Sequence, residues 1–266
     1  MLKPLRIGIV GCGAIGSSLA KAIIKDFRKK AKLVALYDID QKKSIGLSRF
    51  LFKTGKLSVD SLRRLILKSD LVIEASSSHA SFGIAQKVLA QGRDVLIMSV
   101  GGVAGHIKTL VALAQRRGGS IYIPSGAISG IDALKAAACA KLKKVCLTTR
   151  KNPASFKGVK GLSLRKTRVL FHGSARKAIR LFPQNINVAG LLSLAGLGLD
   201  RTEVKIVASP ATKKNTHEIR IESSAGTIGT RTENILHPDN PKTSYLAVLS
   251  ARALIKEILN PVKIGT

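Results

Sequence analysis

The sextet Gly11-Cys12-Gly13-Ala14-Ile15-Gly16 constrains this chain more than any other feature, because of what flanks it. A short β-branched apolar run, LRIGIVG (5–11), leads into it, and a helix-like stretch, SSLAKAIIKDF, leads out. A strand that enters a tight glycine turn and leaves as a helix opens a βαβ unit. Gly11 permits the turn, Gly13 lets the backbone approach a pyrophosphate, and Gly16 lets the helix pack closely on the sheet. Ala14 and Ile15 occupy the first helical turn, whose free N–H groups and positive dipole end favour phosphate. Twenty-two residues after Gly16, Asp38 closes a second apolar run, LVALYD (33–38). There it is placed to accept hydrogen bonds from adenosine ribose hydroxyls, which favours NAD. Lys42 and Lys43 lie just beyond and supply charge that would neutralise a 2′-phosphate and admit NADP. A glycine sextet by itself arises by chance in many chains, and its position between strand and helix is what gives it weight.

The same alternation continues. DLVIEAS (70–76), DVLIMSV (94–100) and SIYIPSG (120–126) read as further buried strands. Between them HASFGIAQKVLAQG and GHIKTLVALAQRRGG carry helical spacing, and SVDSLRRLI reads as a short helix capped by Ser58 or Asp60. Continuous apolar strands separated by helices predict a doubly wound parallel sheet of the Rossmann kind. After about residue 130 the strands change character. VCLTTRK, TRVLFHG, EVKIVAS, HEIRIES and GTIGTRTEN alternate with period two, SSAG (223–226) has hairpin composition, and IDALKAAACA and NVAGLLSLAGLG read as helices. The expectation is an α/β dinucleotide-binding domain formed by residues 1–130 and 241–266, with an α+β substrate domain on a mixed sheet at 131–240. The last helix, 243–259 with Thr243 or Ser244 as its cap, is expected to pack on the first domain.

Length and composition suit this plan. The chain has 266 residues, enough for two such domains, and 45% of them are hydrophobic. No apolar run is long enough to span a bilayer and no signal stretch opens the sequence, so a cytoplasmic protein away from membranes is expected. Cys12, Cys139 and Cys146 lack metal-site spacing, and no metal is expected. The charge is unusual: 45 Lys and Arg against 15 Asp and Glu give +30. Such a balance raises nucleic acid as a partner. The bases, however, are scattered in ones and twos with few aromatics for stacking, which argues against specific nucleic-acid binding and for steering of anionic substrates. Between Asp132 and Asp200 there is no acid, while 14 Lys and Arg fall in that interval.

Beyond the glycine turn the sequence resembles the L-aspartate dehydrogenase family over nearly its whole length. The likeness is carried by DVLIMSVGG (94–102), IYIPSGAISGIDALKAA (121–137), LTTRK (147–151), GSARKAIRLFPQNINVAG (173–190), NTHEIRIE (215–222) and DNPKTSYLAVLSA (239–251). The motifs PSGAISG, FPQNINVA and NPKTS are more specific than the glycine sextet. The resemblance implies oxidative deamination of L-aspartate with NAD or NADP to iminoaspartate and ammonia. Iminoaspartate can feed quinolinate and NAD biosynthesis. It also implies Ala127 and Asn187 as cofactor contacts and His217 as the catalytic residue. His172 stands where the family more often has Glu, Asn152 interrupts a commoner KPP, and Gly102 replaces a more usual Ala. None of these removes a catalytic group.

The reaction so implied needs a neutral amine, a hydride leaving Cα, and a water to hydrolyse the imine. One side chain titrating near neutrality can act as base and then acid, and histidine is the usual choice. His217 opens an alternating strand. His237, near Asp239-Asn240-Pro241, is its rival, while His79 and His106 fall at helix starts and read as structural. Asn187 can offer its amide to the nicotinamide or a substrate carboxylate, or can cap NVAGLLSLAGLG. Asn240 and Thr243 can meet the nicotinamide ribose or the substrate, or can cap the last helix. The substrate is a dianion and calls for cations, among them Arg150, Lys151 and Arg176. A homodimer is expected by analogy of architecture. Two other readings remain: a related reductase of another small dicarboxylate or amino-acid derivative, and a non-catalytic NAD(H)-binding regulator.

Overall fold

The computed structural model describes residues 3–156, 165–182, 186–238 and 240–265, with backbone alone at 186 and 240–242. The chain divides into two compact units: Met1–Pro124 with Val248–Lys263, and Ser125–Ala247 with Ile264–Thr266.

The first unit follows from its apolar runs. Strands β1 (Leu5–Val10), β2 (Ala31–Tyr37), β3 (Leu71–Glu74), β4 (Asp94–Ile97) and β5 (Ile121–Tyr122) pair in the order β2-β1-β3-β4-β5, every pair parallel. All four residues of β3 are buried, as a strand covered on both faces requires. The intervening helices are α1 (Ala14–Asp26), α2 (Gln41–Phe52), α3 (Leu62–Lys68), α4 (Ser78–Ala90) and α5 (Ile107–Arg117). Helix α1 buries Gly16, Leu19, Ala20 and Ile23, one stripe at helical spacing. The short α3 is capped by Ser61, whose hydroxyl accepts from the Arg64 amide, rather than by Ser58 or Asp60. Ser58 instead hydrogen-bonds Ser44 at 2.7 Å. Helix α5 ends on Gly118, whose φ of +75° suits a residue without Cβ.

In the second unit, helix α6 (Ile131–Ala138) precedes strand β6 (Leu142–Lys151). Then come β7 (Arg168–Ser174), α7 (Ala175–Leu181), α8 (Ile186–Ala195), α9 (Gly198–Arg201), β8 (Glu203–Ala208), β9 (Asn215–Ser223) and β10 (Gly226–Asn234). The sheet order is β10-β9-β6-β8-β7; β6 and β8 run parallel and the other neighbours antiparallel. The SSAG turn joins β9 to β10 as its composition predicts. Helix α7 has no counterpart in the sequence reading, although Ser174 caps it through the Lys177 amide.

The hairpin of β11 (Leu236–His237) and β12 (Asn240–Ser244) leads into α10 (Tyr245–Leu259). Thr243 and Ser244 thus belong to a strand, and the helix starts at Tyr245. Val248, Ala251 and Ile255 on α10 join Ile7, Ile9, Leu19 and Ile73 in one buried cluster. Each such fully buried Val, Leu or Ile side chain contributes roughly 1.5–3 kcal/mol.

The glycine turn is tightly constrained. A Cβ on Gly16 would lie 1.9 Å from the Gly11 carbonyl oxygen, and Gly11 itself sits at φ +94°. Gly16→Ala is therefore expected to lower stability by about 1–3 kcal/mol through backbone displacement. Thermal unfolding of the variant against the parent chain checks this; an unchanged midpoint would show that α1 has room to shift.

Candidate active site

In the first unit the glycine turn presents an open cradle. Gly13, immediately before α1, has no heavy atom within 4 Å of where a Cβ would stand, so the fold itself does not require glycine there. Open backbone at a helix N-terminus, directly after the first strand of a parallel sheet, fits a diphosphate. Ala14, Ile15 and Gly16 form the first turn of that helix.

Asp38 follows β2 and is half-buried. Its Oδ2 accepts from the Cys12 amide at 2.7 Å and its Oδ1 from the Asp40 amide at 2.9 Å. The carboxylate thus clips the glycine turn to the end of β2, and each oxygen keeps a further lone pair for a hydroxyl donor. Burial pushes the Cys12 thiol up to about 12, and the nearby Asp38 charge adds to this. Cys12 is accordingly a packed thiol and not a nucleophile. Lys43 lies 3.8 Å from Asp40, so part of its charge is already engaged.

A second carboxylate, which the sequence reading passed over, organises the same end of the sheet. Glu74 is fully buried at the end of β3. Its Oε1 accepts from the Ser76 amide and hydroxyl at 2.9 and 2.7 Å, and its Oε2 from the Ser99 amide at 3.0 Å. Burial raises its pKa while these donors oppose the rise. It joins the chain ends leaving β3 and β4, at the carboxyl edge where open parallel sheets bind ligands. An acid closing an otherwise apolar strand, as in DLVIE, is the signal that was available.

A cavity of about 660 Å3, lined by Lys25, Arg28, Lys29, Lys30, Arg252 and Lys256 among others, lies at the far end of α1 from the glycine turn. Cations gather there beside the C-termini of α1 and α10, where helix dipoles favour them.

The second unit supplies a different surface. Period-two alternation sends Val145, Leu147, Thr149 and Lys151 of β6 to one face of the sheet. Val204, Ile206 and Ala208 of β8 share that face, as do His217, Ile219 and Ile221 of β9 and Thr230, Thr232 and Asn234 of β10. The face is apolar at one end and polar at the other. At the polar end His217 stands opposite both Thr149 and Thr232. Thr149 Oγ1 and His217 Nδ1 are 3.0 Å apart. His217 is 5% exposed, and burial first, then the charge of Lys151, lowers its pKa to about 4. The imidazole is therefore neutral at physiological pH. When Nδ1–H donates to Thr149, the Nε2 lone pair can take a proton.

The loop carrying Ala127 is tied to this face by β10. Asn234 Nδ2 donates to the Ala127 carbonyl at 2.9 Å, and Ser244 donates to Asn234 Oδ1 at 2.6 Å. Thr232 bonds both the amide and the hydroxyl of Ser129, at 3.2 and 2.9 Å. Thr230 Oγ1 also donates to the Ser129 carbonyl at 3.4 Å, so the loop with the nearly buried Ala127 is held by three alternate residues of one strand. The signal for these was polar residues at inward positions of GTIGTRTEN.

Asn187 lies exposed in the first turn of α8, inside the helix and not before it. Thr243 is half-buried in β12, whereas the Asn240 side chain lies outside the described residues. The rival His237 is buried and packs edge-on against Tyr245 at 5.4 Å. His106 packs on Phe82 at 4.6 Å.

The candidate cations separate by parity. Arg150 faces the other side of the sheet and pairs with Glu218 at 3.2 Å. Arg176 pairs with Asp200 at 2.6 Å on the exposed side of α7. Lys151 shares the His217 face and is half-buried. Among the described residues no metal-holding cluster occurs, and no helix is long and apolar enough to cross a membrane.

A Rossmann sheet with an open glycine cradle in one unit, and a mixed sheet that carries a neutral buried imidazole in the other, define a two-unit NAD(P)-using oxidoreductase. Residues 11–124 match the family described as "Homoserine dehydrogenase, NAD binding domain", and 132–258 match "Aspartate dehydrogenase, C-terminal". The L-aspartate dehydrogenase of Methanosarcina acetivorans is 45% identical, with 98% of this chain and all of that protein covered. That of Methanococcus maripaludis is 43% identical over the same 98% of this chain. The crystal structure of aspartate dehydrogenase from Thermotoga maritima superposes with a TM-score of 0.80 at 27% identity, covering 99% of this chain and 100% of that one. The chain belongs to the L-aspartate dehydrogenase family.

The depressed pKa of His217 makes stability pH-dependent. The unfolded imidazole binds a proton below about pH 6.5, whereas the folded one does so only near 4. Between those values the unfolded state holds more protons, so stability falls as pH drops, by up to ~1.4 kcal/mol per pH unit from this group. Denaturant unfolding of His217→Asn between pH 4 and 6.5 should show a shallower slope than the parent. Equal slopes would place the His217 pKa near its unfolded value.

Proposed function

We propose that this protein oxidatively deaminates L-aspartate with NAD or NADP, forming iminoaspartate, then oxaloacetate and ammonia. The observation that carries the reading is the neutral, Thr149-held imidazole of His217 at the polar end of the second sheet. Gly11, Gly13, Ala14, Ile15, Gly16 and Asp38 would hold the dinucleotide at its adenosine and diphosphate end. Ala127, Asn187, Asn240 and Thr243 are assigned to its nicotinamide end. When bound, the nicotinamide supplies the hydride acceptor for the hydrogen leaving Cα.

The chain's own residues handle the protons. The substrate arrives as an ammonium, and His217 takes one of its protons so that the nitrogen lone pair can expel the hydride. Once His217 has released that proton to solvent, water adds to the imine carbon, with the again neutral His217 accepting the water's proton and returning it to the departing nitrogen. Thr149 keeps the ring in one orientation through both transfers. Asp38 would accept from the adenosine ribose, a role that a 2′-phosphate would oppose by charge repulsion.

The released iminoaspartate suits a pathway building the pyridine ring of quinolinate. We further read the enzyme as a cytoplasmic homodimer, by analogy with its two-unit architecture, without specific nucleic-acid binding.

Absorbance at the reduced-nicotinamide band, with L-aspartate offered with NAD and then NADP, tests the activity. D-aspartate, L-glutamate and L-homoserine serve as comparisons. His217→Ala is expected to lose roughly 10²–10⁴-fold in kcat with dinucleotide affinity kept; near-normal turnover would remove His217 from the chemistry. Asp38→Ala should weaken NAD more than NADP, and an equal loss would show that Asp38 does not select the ribose.

A further inference from the structure

We propose that Lys151 is the cation that receives a carboxylate of the substrate, and that this pairing is what readies His217 to accept a proton. The inference rests on the aspartate reading above and deepens it. Three candidate cations were indistinguishable by composition, and the sheet separates them. Arg150 is turned to the opposite face, against Glu218, and Arg176 is spent on Asp200 at the surface. Lys151 is two residues beyond Thr149 on the same strand, in unbroken register with Ala208 of β8. It therefore projects on the face that carries His217. Among the described residues of β8, β9 and β10 no Lys or Arg occupies that face, because Lys205, Arg220 and Arg231 all have the opposite parity. On β6, Lys143 shares the parity of Lys151 but is exposed at the register shift at the other end of the strand. On the edge strand, Arg168 stands opposite Ala208 but is exposed.

Lys151 also lacks what such a charge needs. Every ion pair of this sheet lies on its outer face, on Glu203, Glu218, Glu222 and Glu233. No acid forms a salt bridge with Lys151 among the described residues, and the chain holds none between Asp132 and Asp200. A half-buried ammonium without a counterion is costly, and its pKa falls through desolvation. A ligand carboxylate would relieve that cost, which is how a site comes to prefer a dianion over a monoanion.

The consequence for His217 follows from charge. Among the described residues Lys151 is the charged group that acts on the imidazole, adding to burial in holding down its basicity. On the strands flanking β9, the residues opposite the ring are the uncharged Thr149 and Thr232. A carboxylate arriving on Lys151 offsets the positive charge, so His217 gains basicity when substrate is in place. Lys151 touches substrate in this arrangement and also positions the proton chemistry.

The test compares the whole enzyme with Lys151→Met and Lys151→Arg. Steady-state kinetics should show KM for L-aspartate raised roughly 10- to 100-fold in Lys151→Met, with Lys151→Arg recovering part of the loss and NADH affinity unchanged. The acid limb of the kcat/KM profile should move to higher pH in Lys151→Met, which a merely structural role would not cause. Succinate binding to the enzyme–NADH complex, followed by NADH fluorescence, should be lost in the same variant. Lys151→Gln carries the same measurements if the methionine variant does not fold. Unchanged KM and acid limb with an active parent would overturn the proposal, and so would a parent that binds no succinate. A parent that binds succinate through Lys151 yet is silent with L-aspartate would refute the activity while leaving Lys151 as the carboxylate site.

Discussion

The register between β6 and β9 is the constraint on which the second unit depends. A pleated strand offers its side chains alternately to two faces, and a slip of one residue exchanges them all. In the observed pairing Thr149 meets His217, and the apolar residues Val145, Leu147, Ile219 and Ile221 all lie on that side. Burying those four holds the strands in place, and the histidine is carried to the same face as a result. The hydrophobic core thereby specifies where the imidazole stands. The opposite face receives Arg150, Glu218, Arg220, Glu222 and Arg231, which neutralise one another in exposed ion pairs worth little individually. Partition by parity explains how a chain of such positive charge can keep one imidazole neutral and one lysine without a counterion.

The first unit depends on a different kind of contact, backbone against backbone. Gly11 and Gly16 are required by space, since Cβ atoms there would meet the Ala75 and Gly11 carbonyl oxygens at 2.4 and 1.9 Å. Gly13 is different: nothing in the protein fills the place of its missing side chain. Two glycines serve the fold and the third leaves room for a ligand, although all three look alike in the sextet. Asp38 and Glu74 extend the same division of labour. Each is a carboxylate at the end of a strand that satisfies backbone amides of neighbouring loops, and together they shape the edge of the sheet where a dinucleotide would lie.

Much of this was legible beforehand. The five parallel strands, the change to alternating strands after residue 130, the β9–β10 turn and the docking of the last helix all follow from apolar period and glycine placement. Caps were less legible: Ser58, Asp60 and Ser61 are chemically alike, and only the path of the chain decides which meets a free amide. Helix α7 was missed because its seven residues, ARKAIRL, are too few to display a periodicity. The supporting residues Thr149, Thr232, Asn234 and Glu74 escaped notice for a related reason. A polar residue at an inward position acquires meaning only when its partner, distant in sequence, is known.

The sequence by itself determined the fold class, the nature of the cofactor cradle and the family, because these rest on local patterns: a period, a glycine spacing, a run of motif residues. Only the tertiary structure decided which lysine or arginine shares a face with His217, what holds that ring, and why it is neutral. Those properties come from burial and from pairs of residues up to 107 positions apart. Thr149 and His217, or Ala127 and Asn234, have no local signature of their partnership, since sheet register is set by the packing of the whole face.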